Sequence, residues 1–406
     1  MNETPSANRI HIAFFGRRNA GKSSLVNAVT GQNLALVSNI KGTTTDPVYK
    51  AMELLPLGPV VIIDTPGFDD EGELGEMRVR RARQVLNKTD TAVLVLDGEI
   101  PHSADSDTFS AEEKELIAIF NAKKIPYIIV RNKSDCHNTD LSDTGFEKGI
   151  LSVSAKTGYN INLLKEKIAR LALSEEANQR LVADLIKPYD IALLVIPIDK
   201  AAPKGRLILP QQQVIRDILE AGGAAVAVKE SELKETLSNL GKKPALVITD
   251  SQVFAEVSAV VPDEIPLTSF SILFARYKGF LETAIRGVKT LDDLQDGDKI
   301  LICEGCTHHR QCDDIGTVKL PRLIKKHSAK EPDFQFCSGG DFPENLSSYK
   351  LIIHCGACML NDREMHYRRK QAEDQNTPFT NYGISIAHIQ GILKRSITML
   401  NINGGK

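Results

Sequence analysis

Short apolar runs alternate with longer segments of mixed polarity along the first 172 residues. HIAFFG, VVIID, TAVLVLD, YIIVRN and ILSVSA have the length of strands, and the segments between them have helical spacing. Strands that alternate with helices are typical of βαβ units around a parallel sheet. The pattern therefore predicts an α/β domain over residues 1–172.

A second alternation follows the charged segment at 173–190. Apolar runs at IALLVIPID, AAVAVKE and ALVITD are separated by two helical patterns, and the region 173–270 has no cysteine, no histidine and no phosphate loop. We interpret it as a small α/β domain that acts as a spacer or a self-association module. Residues 271–406 form the third predicted domain, which opens with a helical pattern and passes through the turn-rich LDDLQDGDKILICEGC.

Composition narrows the class of protein. Of the 406 residues, 42% are hydrophobic and 25% are charged, and no apolar run approaches the roughly 18 uncharged residues of a membrane span. The polar start predicts neither a secretory signal nor a transit peptide, so we expect a cytoplasmic protein. The formal net charge of only -2 makes nucleic acid an unfavoured partner. The lack of a long apolar run means that no membrane partner is expected either.

The segment GRRNAGKSS fits the phosphate-binding loop G-x-x-x-x-G-K-[ST] between a predicted strand and a predicted helix. Its glycines let the backbone wrap the phosphates, so that amides and the helix N-terminus donate to them. Lys22 is expected to pair with the β and γ phosphates, and Ser23 to bind Mg²⁺. This predicts a P-loop NTPase domain whose loop residues at the nucleotide are Gly16, Asn19, Ala20, Gly21, Lys22, Ser23 and Ser24.

Two further segments complete a predicted phosphate and magnesium site. DTPGFDD ends the run VVIID, which places Asp64 to hold a water on Mg²⁺ and the Gly67 amide to sense the γ-phosphate. KGTTTDPV is a threonine-rich loop of the kind that folds over the γ-phosphate with one threonine on Mg²⁺. We favour Thr44 for that role, with Thr43 and Thr45 as alternatives. The predicted catalytic residues are Lys22, Thr44, Asp64 and Gly67.

The segment NKSD after the run YIIV predicts which base is bound. The Asp135 carboxylate can accept from both N1–H and the 2-amino group of guanine, and adenine offers neither donor. Asn132 and Lys133 are expected to brace the loop and cover the base, and Ala155 to offer its amide to O6. GTP is therefore predicted over ATP. The predicted base-binding residues are Asn132, Lys133, Asp135, Ser154, Ala155 and Lys156.

Most of the soft metal ligands lie in the last quarter of the chain, which holds six of the seven cysteines and six of the nine histidines. In a reducing compartment this concentration indicates a metal site more than a disulfide framework. Two Cys-x-x-Cys pairs, Cys303/Cys306 and Cys355/Cys358, each offer two thiolates from one tight turn. The residues alone leave zinc and iron–sulfur open.

The motifs GRRNAGKSS, GTTTD, DTPGF, NKSD and SAK together resemble those of the GTPases related to TrmE and Era. In those relatives the residue after DTPG is apolar, as Phe68 is here, and the resemblance implies that no glutamine orients the attacking water. It also implies that Asn19 is a ligand of an activating K⁺, with the alternative that Asn19 only caps the turn. Arg18 departs from the pattern, because many relatives have proline there.

The C-terminal region resembles the HydF family, the GTPases of FeFe-hydrogenase maturation. Cys306-x-His308, followed by His354-Cys355-x-x-Cys358, matches the C-x-H and H-C-x-x-C signature of that family, and the domain order matches as well. The resemblance implies that Cys306, Cys355 and Cys358 hold a 4Fe–4S cluster and leave one iron for an exchangeable ligand. The candidates for that ligand are His308, His354, a carboxylate or water.

The same resemblance implies a C-terminal iron–sulfur domain in a scaffold or carrier for the di-iron subcluster precursor of the hydrogenase active site, the H-cluster. The implied partners are the radical-SAM maturases HydE and HydG and the immature hydrogenase HydA. The middle domain is implied to form a homodimer or a higher oligomer. GTP hydrolysis is then a switch, because the nucleotide and cluster motifs lie in separate domains.

Several residues of the C-terminal region lie outside the family signature. We interpret Cys303, Cys312 and Cys337 as structural thiols, with Cys303 as the main competitor for a ligand role. His309 is an alternative to the adjacent His308 as the functional imidazole. His327, His366 and His388 are interpreted as surface or packing residues. The basic runs KLPRLIKKH and REMHYRRK predict solvated helix faces. A weaker hypothesis is that these runs attract an anionic iron precursor.

Two other functions stay open. A tRNA-modifying or ribosome-assembly GTPase would share the nucleotide motifs, although the charge balance is not basic and the GTPase region is N-terminal here. A regulatory GTPase with a structural zinc site would share the cysteine pairs.

Overall fold

The computed structural model describes residues 4–32, 47–68, 81–97, 109–136, 146–147, 149–173, 180–198, 207–305 and 314–400. The chain divides into two compact units, Met1–Ala177 and Asn178–Lys406. Within the described residues, no helix is long and apolar enough to cross a membrane.

A seven-stranded sheet in the order β2-β3-β1-β4-β5-β7-β6 organises the first unit. Its strands are β1 (Ile10–Phe15), β2 (Val48–Leu54), β3 (Gly58–Asp64), β4 (Thr91–Leu96), β5 (Tyr127–Arg131), β6 (Phe146–Glu147) and β7 (Ile150–Ser152). The five central strands are parallel, and the edge strands β2 and β6 are antiparallel to their neighbours. The helices with defined bounds are α1 (Lys22–Thr30), α2 (Ala111–Ala122) and α3 (Ile161–Leu173).

Both faces of this sheet are covered, because alternate residues of its strands enter two separate hydrophobic clusters. Ile12 and Phe14 of β1 belong to one cluster, and Ala13 and Phe15 belong to the other. Every residue of β4 is buried, as expected for a central parallel strand. The predicted α/β fold of the P-loop domain is therefore confirmed.

The second unit contains two four-stranded parallel sheets. The first, in the order β11-β10-β8-β9, comprises β8 (Ile191–Val195), β9 (Ala224–Val228), β10 (Leu246–Thr249) and β11 (Leu267–Ser269). The second, in the order β13-β12-β14-β15, comprises β12 (Lys299–Glu304), β13 (Asp333–Ser338), β14 (Leu351–His354) and β15 (Phe379–Asn381). The predicted turn-rich segment LDDLQDGDKILICEGC begins with a 3₁₀ helix and a turn, and its residues ILICE then lie in the buried strand β12.

Helices of the second unit pack around these sheets and share one hydrophobic cluster with both. Their bounds are α4 (Leu209–Glu220), α5 (Leu233–Asn239), α6 (Phe254–Val260), α7 (Phe270–Tyr277), α8 (Leu281–Val288), α9 (Leu320–Ser328), α10 (Asp362–Asp374), α11 (Tyr382–Ile389) and α12 (Leu393–Ile397). The division of this unit into domains at 173–270 and 271–406 stays a prediction.

Candidate functional site

The phosphate-binding loop connects β1 to α1 in backbone conformations that favour glycine. Gly16 has φ of 147° and Gly21 has φ of 83°. A Cβ atom on Gly21 would lie 2.3 Å from Nδ2 of Asn132, and one on Gly16 would lie 2.2 Å from a backbone oxygen. Asn19 also has a positive φ, 62°, and asparagine is enriched in that region among non-glycine residues. The loop therefore has the tight curvature that phosphate binding requires.

Lys22 folds back into this loop. Its buried Nζ donates to the backbone oxygens of Gly16 at 3.0 Å and of Arg17 at 2.7 Å. Ser23 and Ser24, in the same first turn of α1, are half-buried. The ammonium therefore lies inside the loop that is predicted to hold the phosphates.

Asp64 lies at the end of β3 and faces the first turn of α1. Its Oδ2 accepts a hydrogen bond from Ser23 Oγ at 2.5 Å. Its Oδ1 is buried and has no hydrogen-bond partner among the described residues. Burial raises the pKa of Asp64, against the effects of the Ser23 hydroxyl and the Lys22 cation. A buried carboxylate oxygen without a partner is energetically costly, and Mg²⁺ or one of its bound waters would supply that partner. The Ser23 hydroxyl and the Asp64 carboxylate are oxygen ligands of the kind that Mg²⁺ prefers.

The segment that follows Asp64 is also buried. Gly67 lies three residues after β3, and the side chain of Phe68 is 8% exposed. The Phe68 ring packs edge-on against Phe15, with ring centroids 6.1 Å apart. Phe68 therefore belongs to the core and offers no group to a water molecule. The predicted magnesium ligand Thr44, with its alternatives Thr43 and Thr45, lies outside the described residues.

Asn132 connects the phosphate-binding loop to the segment SAK. Its Nδ2 donates to the backbone oxygens of Ala20 at 3.2 Å and of Gly21 at 3.3 Å. Its Oδ1 accepts from the backbone amide of Ala155 at 3.1 Å. The Ala155 amide, which the sequence assigns to guanine O6, therefore contacts Asn132 here. The predicted bracing role of Asn132 has a direct geometric basis.

The predicted base-reading carboxylate is held in place by its neighbours. Ser154 Oγ donates to Asp135 Oδ1 at 2.7 Å, and Lys156 Nζ lies 4.0 Å from Oδ2. The Ser154 hydrogen bond lowers the pKa of Asp135, which favours the charged form that accepts from guanine. Lys133 Nζ lies 3.1 Å from a carboxylate oxygen of Asp97. Asp97 was missed in the sequence, although it directly follows the apolar residues of TAVLVLD.

The cysteine-rich region lies where β12 and β14 end side by side. The amide of Gly305, just after β12, donates to Cys355 Sγ at 3.1 Å, and the amide of Ala357 lies 3.4 Å from the same sulfur. Amide donors favour the thiolate form and are found on the sulfurs of metal clusters. Cys358 is half-buried in the same turn. The other predicted residues, Cys306, His308, His309 and Cys312, lie outside the described residues.

Cys303 and Cys337 form a separate pair. They are register partners on the neighbouring strands β12 and β13, and their sulfur atoms lie 3.0 Å apart. Both are buried, and burial raises the pKa of the Cys303 thiol well above its usual value. A protonated thiol is a poor metal ligand. The contact with Cys337 and the raised pKa of its thiol therefore disfavour Cys303 as a metal ligand.

His354 is fully buried, and both of its ring nitrogens have partners. Nδ1 donates to the backbone oxygen of Cys355 at 3.0 Å, and Nε2 accepts from Arg368 Nη1 at 3.1 Å. Burial, followed by the Arg368 cation, lowers the pKa of His354 to about 3. The imidazole is therefore neutral, and it would have to give up a hydrogen bond to bind iron.

Arg368 is fully buried, so its assignment to a solvated basic surface was wrong. Nε donates to Glu364 Oε1 at 2.8 Å, and Nη2 donates to the backbone oxygen of Gly339 at 2.5 Å. The guanidinium also lies over the ring of Phe342, 5.0 Å from its centroid. An (i, i+4) Glu–Arg spacing was visible in the sequence, but the histidine that completes the network comes from another element.

Three family models match the chain. Residues 11–133 match the model of a 50S ribosome-binding GTPase. Residues 181–279 match the hydrogen maturase F dimerization domain, and residues 282–399 match the hydrogen maturase F tetramerization domain. The last two models together cover more than half of the chain. They are consecutive domains of the same family. The predicted iron–sulfur domain at the C-terminus matches a model that is described as a tetramerization domain.

Individual relatives match a smaller part. The tRNA modification GTPase MnmE of Hamiltonella defensa is 34% identical over 159 residues, which are 39% of this chain and 34% of that protein. GTPase Der of Wolinella succinogenes is 30% identical over 184 residues, 42% of this chain and 37% of that protein. The chain therefore spans about a third of the length of these relatives.

Solved GTPase structures also align. Era of Aquifex aeolicus, bound to GDP.AlF4-, aligns with a TM-score of 0.35 at 18% identity, covering 57% of this chain and 98% of that structure. The G domain of the T. maritima iron transporter FeoB aligns with a TM-score of 0.29 at 26% identity, covering 41% and 99%.

Proposed function

Because this chain belongs to the hydrogen maturase F family, we propose that it is a GTP-hydrolysing scaffold for the di-iron subcluster of the FeFe-hydrogenase active site. Its N-terminal region is a GTPase domain, and two oligomerisation domains follow. The scaffold would hold a 4Fe–4S cluster and deliver the di-iron precursor as its cargo. The contact between the Gly305 amide and the Cys355 sulfur carries this proposal.

That contact supports a joint site for the two cysteine motifs. Gly305 directly precedes Cys306 in the chain, and its amide lies 3.1 Å from the sulfur that opens the H-C-x-x-C turn. The proposed ligands are Cys306, Cys355 and Cys358. A 4Fe–4S cluster on three thiolates would keep one iron accessible to cargo or to an exchangeable ligand.

The proposed fourth ligand is His308, a carboxylate or water, in preference to His354. The two ring nitrogens of His354 already contact the Cys355 backbone and Arg368. We propose that His354 positions the Cys355 turn through its Nδ1 hydrogen bond. Such outer partners of a metal ligand fix its orientation.

We propose the following roles for residues of the first unit in GTP binding and hydrolysis. Lys22 would neutralise the phosphates, and Ser23 and Asp64 would hold Mg²⁺, which stabilises charge on the transferred phosphoryl group when bound. Asp135 would select guanine through two hydrogen bonds. Because Phe68 cannot orient water, we propose that Asn19 helps bind a K⁺ that supports hydrolysis.

GTP hydrolysis would act as a switch that times partner exchange. Coupling between separate sites typically amounts to about 1–3 kcal/mol, or about 5-fold to 150-fold in affinity. The proposed partners are the radical-SAM maturases HydE and HydG and the immature hydrogenase HydA. We propose a dimer or tetramer that works in the cytoplasm, where cysteines stay reduced.

Anaerobic purification with iron, sulfide and zinc analysis and EPR of the reduced protein tests the cluster. We expect a 4Fe–4S signal that is lost in Cys306→Ser, Cys355→Ser and Cys358→Ser. Cys303→Ser is the matched control and should keep the signal, because that thiol contacts Cys337. Stoichiometric zinc with almost no iron would instead indicate a regulatory GTPase with a structural zinc site.

The similarity to MnmE favours a second candidate, a tRNA-modification GTPase. Its weakness is the net charge of -2, which disfavours binding to a phosphate backbone. Filter binding of the full chain to tRNA at moderate salt separates the two. Specific binding would support the second candidate, and its absence would remove it.

A further inference from the structure

Three side chains with metal-binding groups converge on the surface of the second unit. Asp292 lies in the short 3₁₀ helix Lys289–Asp293, His327 near the end of α9, and His388 in the last turn of α11. His327 Nε2 lies 2.8 Å from Asp292 Oδ1, and His388 Nε2 lies 3.0 Å from both carboxylate oxygens. The histidines are 35 and 96 positions from the aspartate, so tertiary packing brings them together.

The backbone around each of these residues is anchored in the core. Leu291, Ile324 and Ala387 are fully buried and lie within three positions of the converging side chains. The two imidazole rings are inclined by 67°, with centroids 5.8 Å apart. They therefore direct their Nε2 atoms at one carboxylate without stacking, and little reorganisation is needed to bind an ion.

We propose that Asp292, His327 and His388 form a binding site for a divalent transition-metal ion, with Zn²⁺ as the preferred ion. Two imidazole nitrogens and one carboxylate oxygen are a ligand set of zinc sites that keep a fourth position open. Imidazoles disfavour Mg²⁺ and Ca²⁺, which take oxygen ligands. This site shares no residue with the proposed nucleotide and cysteine sites and does not rest on their proposed function.

The observed distances suit such an ion. Metal–ligand bonds of about 2.0–2.1 Å at tetrahedral angles place the donor atoms about 3.3–3.4 Å apart. The carboxylate–imidazole distances are 2.8 and 3.0 Å, and all three ligand atoms lie within 4.8 Å of one another. The two carboxylate–imidazole distances would therefore need to lengthen by only a few tenths of an ångström. The side-chain exposures of 21–49% give an ion access from solvent.

The alternative is a simple ion pair in which the carboxylate bridges two imidazoles. That arrangement and the metal site make different predictions for added metal. In a metal site, the added ion would be held by all three side chains together. An ion pair has no affinity for metal and gains nothing from its addition.

Cobalt titration of the full chain tests the site, on a background of Cys306→Ser, Cys355→Ser and Cys358→Ser that removes the proposed cluster thiolates. We expect one equivalent of Co²⁺ with visible d–d absorption and no sulfur-to-cobalt charge-transfer band, displaced by Zn²⁺. Substitution even of outer-shell partners costs about 10-fold to 100-fold in metal affinity. Asp292→Asn, His327→Ala and His388→Ala should therefore each weaken binding at least tenfold.

His366→Ala is the matched control, because His366 is an exposed histidine of α10 outside this group. It should keep full affinity. Circular dichroism checks that every variant is folded, and Zn²⁺ should raise the melting temperature of the background protein but not of Asp292→Asn. Equal cobalt binding by the background and Asp292→Asn proteins, or a sulfur charge-transfer band, would overturn the assignment.

Discussion

Replacing the buried Arg368 by methionine should destabilise the second unit. Methionine fills much of the space of arginine but has no hydrogen-bond donor. The substitution removes the donors to Glu364, to His354 Nε2 and to the Gly339 backbone oxygen at once. Glu364 is only 8% exposed, so its carboxylate would remain largely buried without its cation.

The expected cost follows from this geometry. Removing one partner of a buried ion pair costs about 3–5 kcal/mol. Each neutral acceptor left unpaired costs about 1–3 kcal/mol, but contributions within one network do not add. We therefore expect a loss of about 4 kcal/mol in the free energy of unfolding. At about 1.4 kcal/mol for each factor of ten, this is nearly a thousandfold increase in the open population.

Native-state hydrogen exchange followed by mass spectrometry measures this change locally. Peptides over α10 and β14 should exchange nearly a thousandfold faster, whereas peptides over β4 in the first unit serve as an internal control. Adding Glu364→Gln to Arg368→Met removes the uncompensated charge and should recover part of the loss. A loss below about 1 kcal/mol, as for an exposed ion pair, would refute the reasoning.

Three further substitutions test the nucleotide site and the proposed cluster site. Gly21→Ala should abolish GTP binding in calorimetry, because its methyl would lie 2.3 Å from Asn132 Nδ2; Gly31→Ala, also at positive φ but in open space, is the control that should still bind. Asp135→Asn should weaken GTP at least about a hundredfold, since hydrogen bonds to charged groups contribute about 1.5–3 kcal/mol each. In competition assays it should also shift preference toward xanthosine triphosphate, and an unchanged preference would contradict the predicted base contact. Cys337→Ser should keep the 4Fe–4S EPR signal; its loss would place this thiol among the cluster ligands.

Local motifs could be predicted well because their spacing reflects one turn of backbone. The loop around Gly16 and Gly21 shows the positive φ angles that its glycines indicate. The partners of motif residues could not be predicted in the same way. Asn132 contacts Ala20 across 112 positions, and Lys133 contacts Asp97 across 36. The motif indicates the residue type, but only the sheet order brings the strand ends together.

Which polar side chains of the C-terminal region are buried or in contact could not be predicted from composition, because it depends on tertiary packing. Arg368 stands in the run RRK, which is typical of a solvated face, yet contacts from β14 and α10 hold it in the interior. His327 and His388 were interpreted separately as surface or packing residues. Their shared contact with Asp292 appears only when α9 and α11 pack together.

The hydrogen bonds of Asn132 link the two predicted halves of the nucleotide site. One carboxamide connects the predicted phosphate-binding loop to the segment that is predicted to contact the base. Order imposed at either end therefore lowers the entropic cost of ordering the other, and the effect is reciprocal. The guanosine and pyrophosphate halves of the ligand would help each other to bind, so a redesign of one pocket also alters the other.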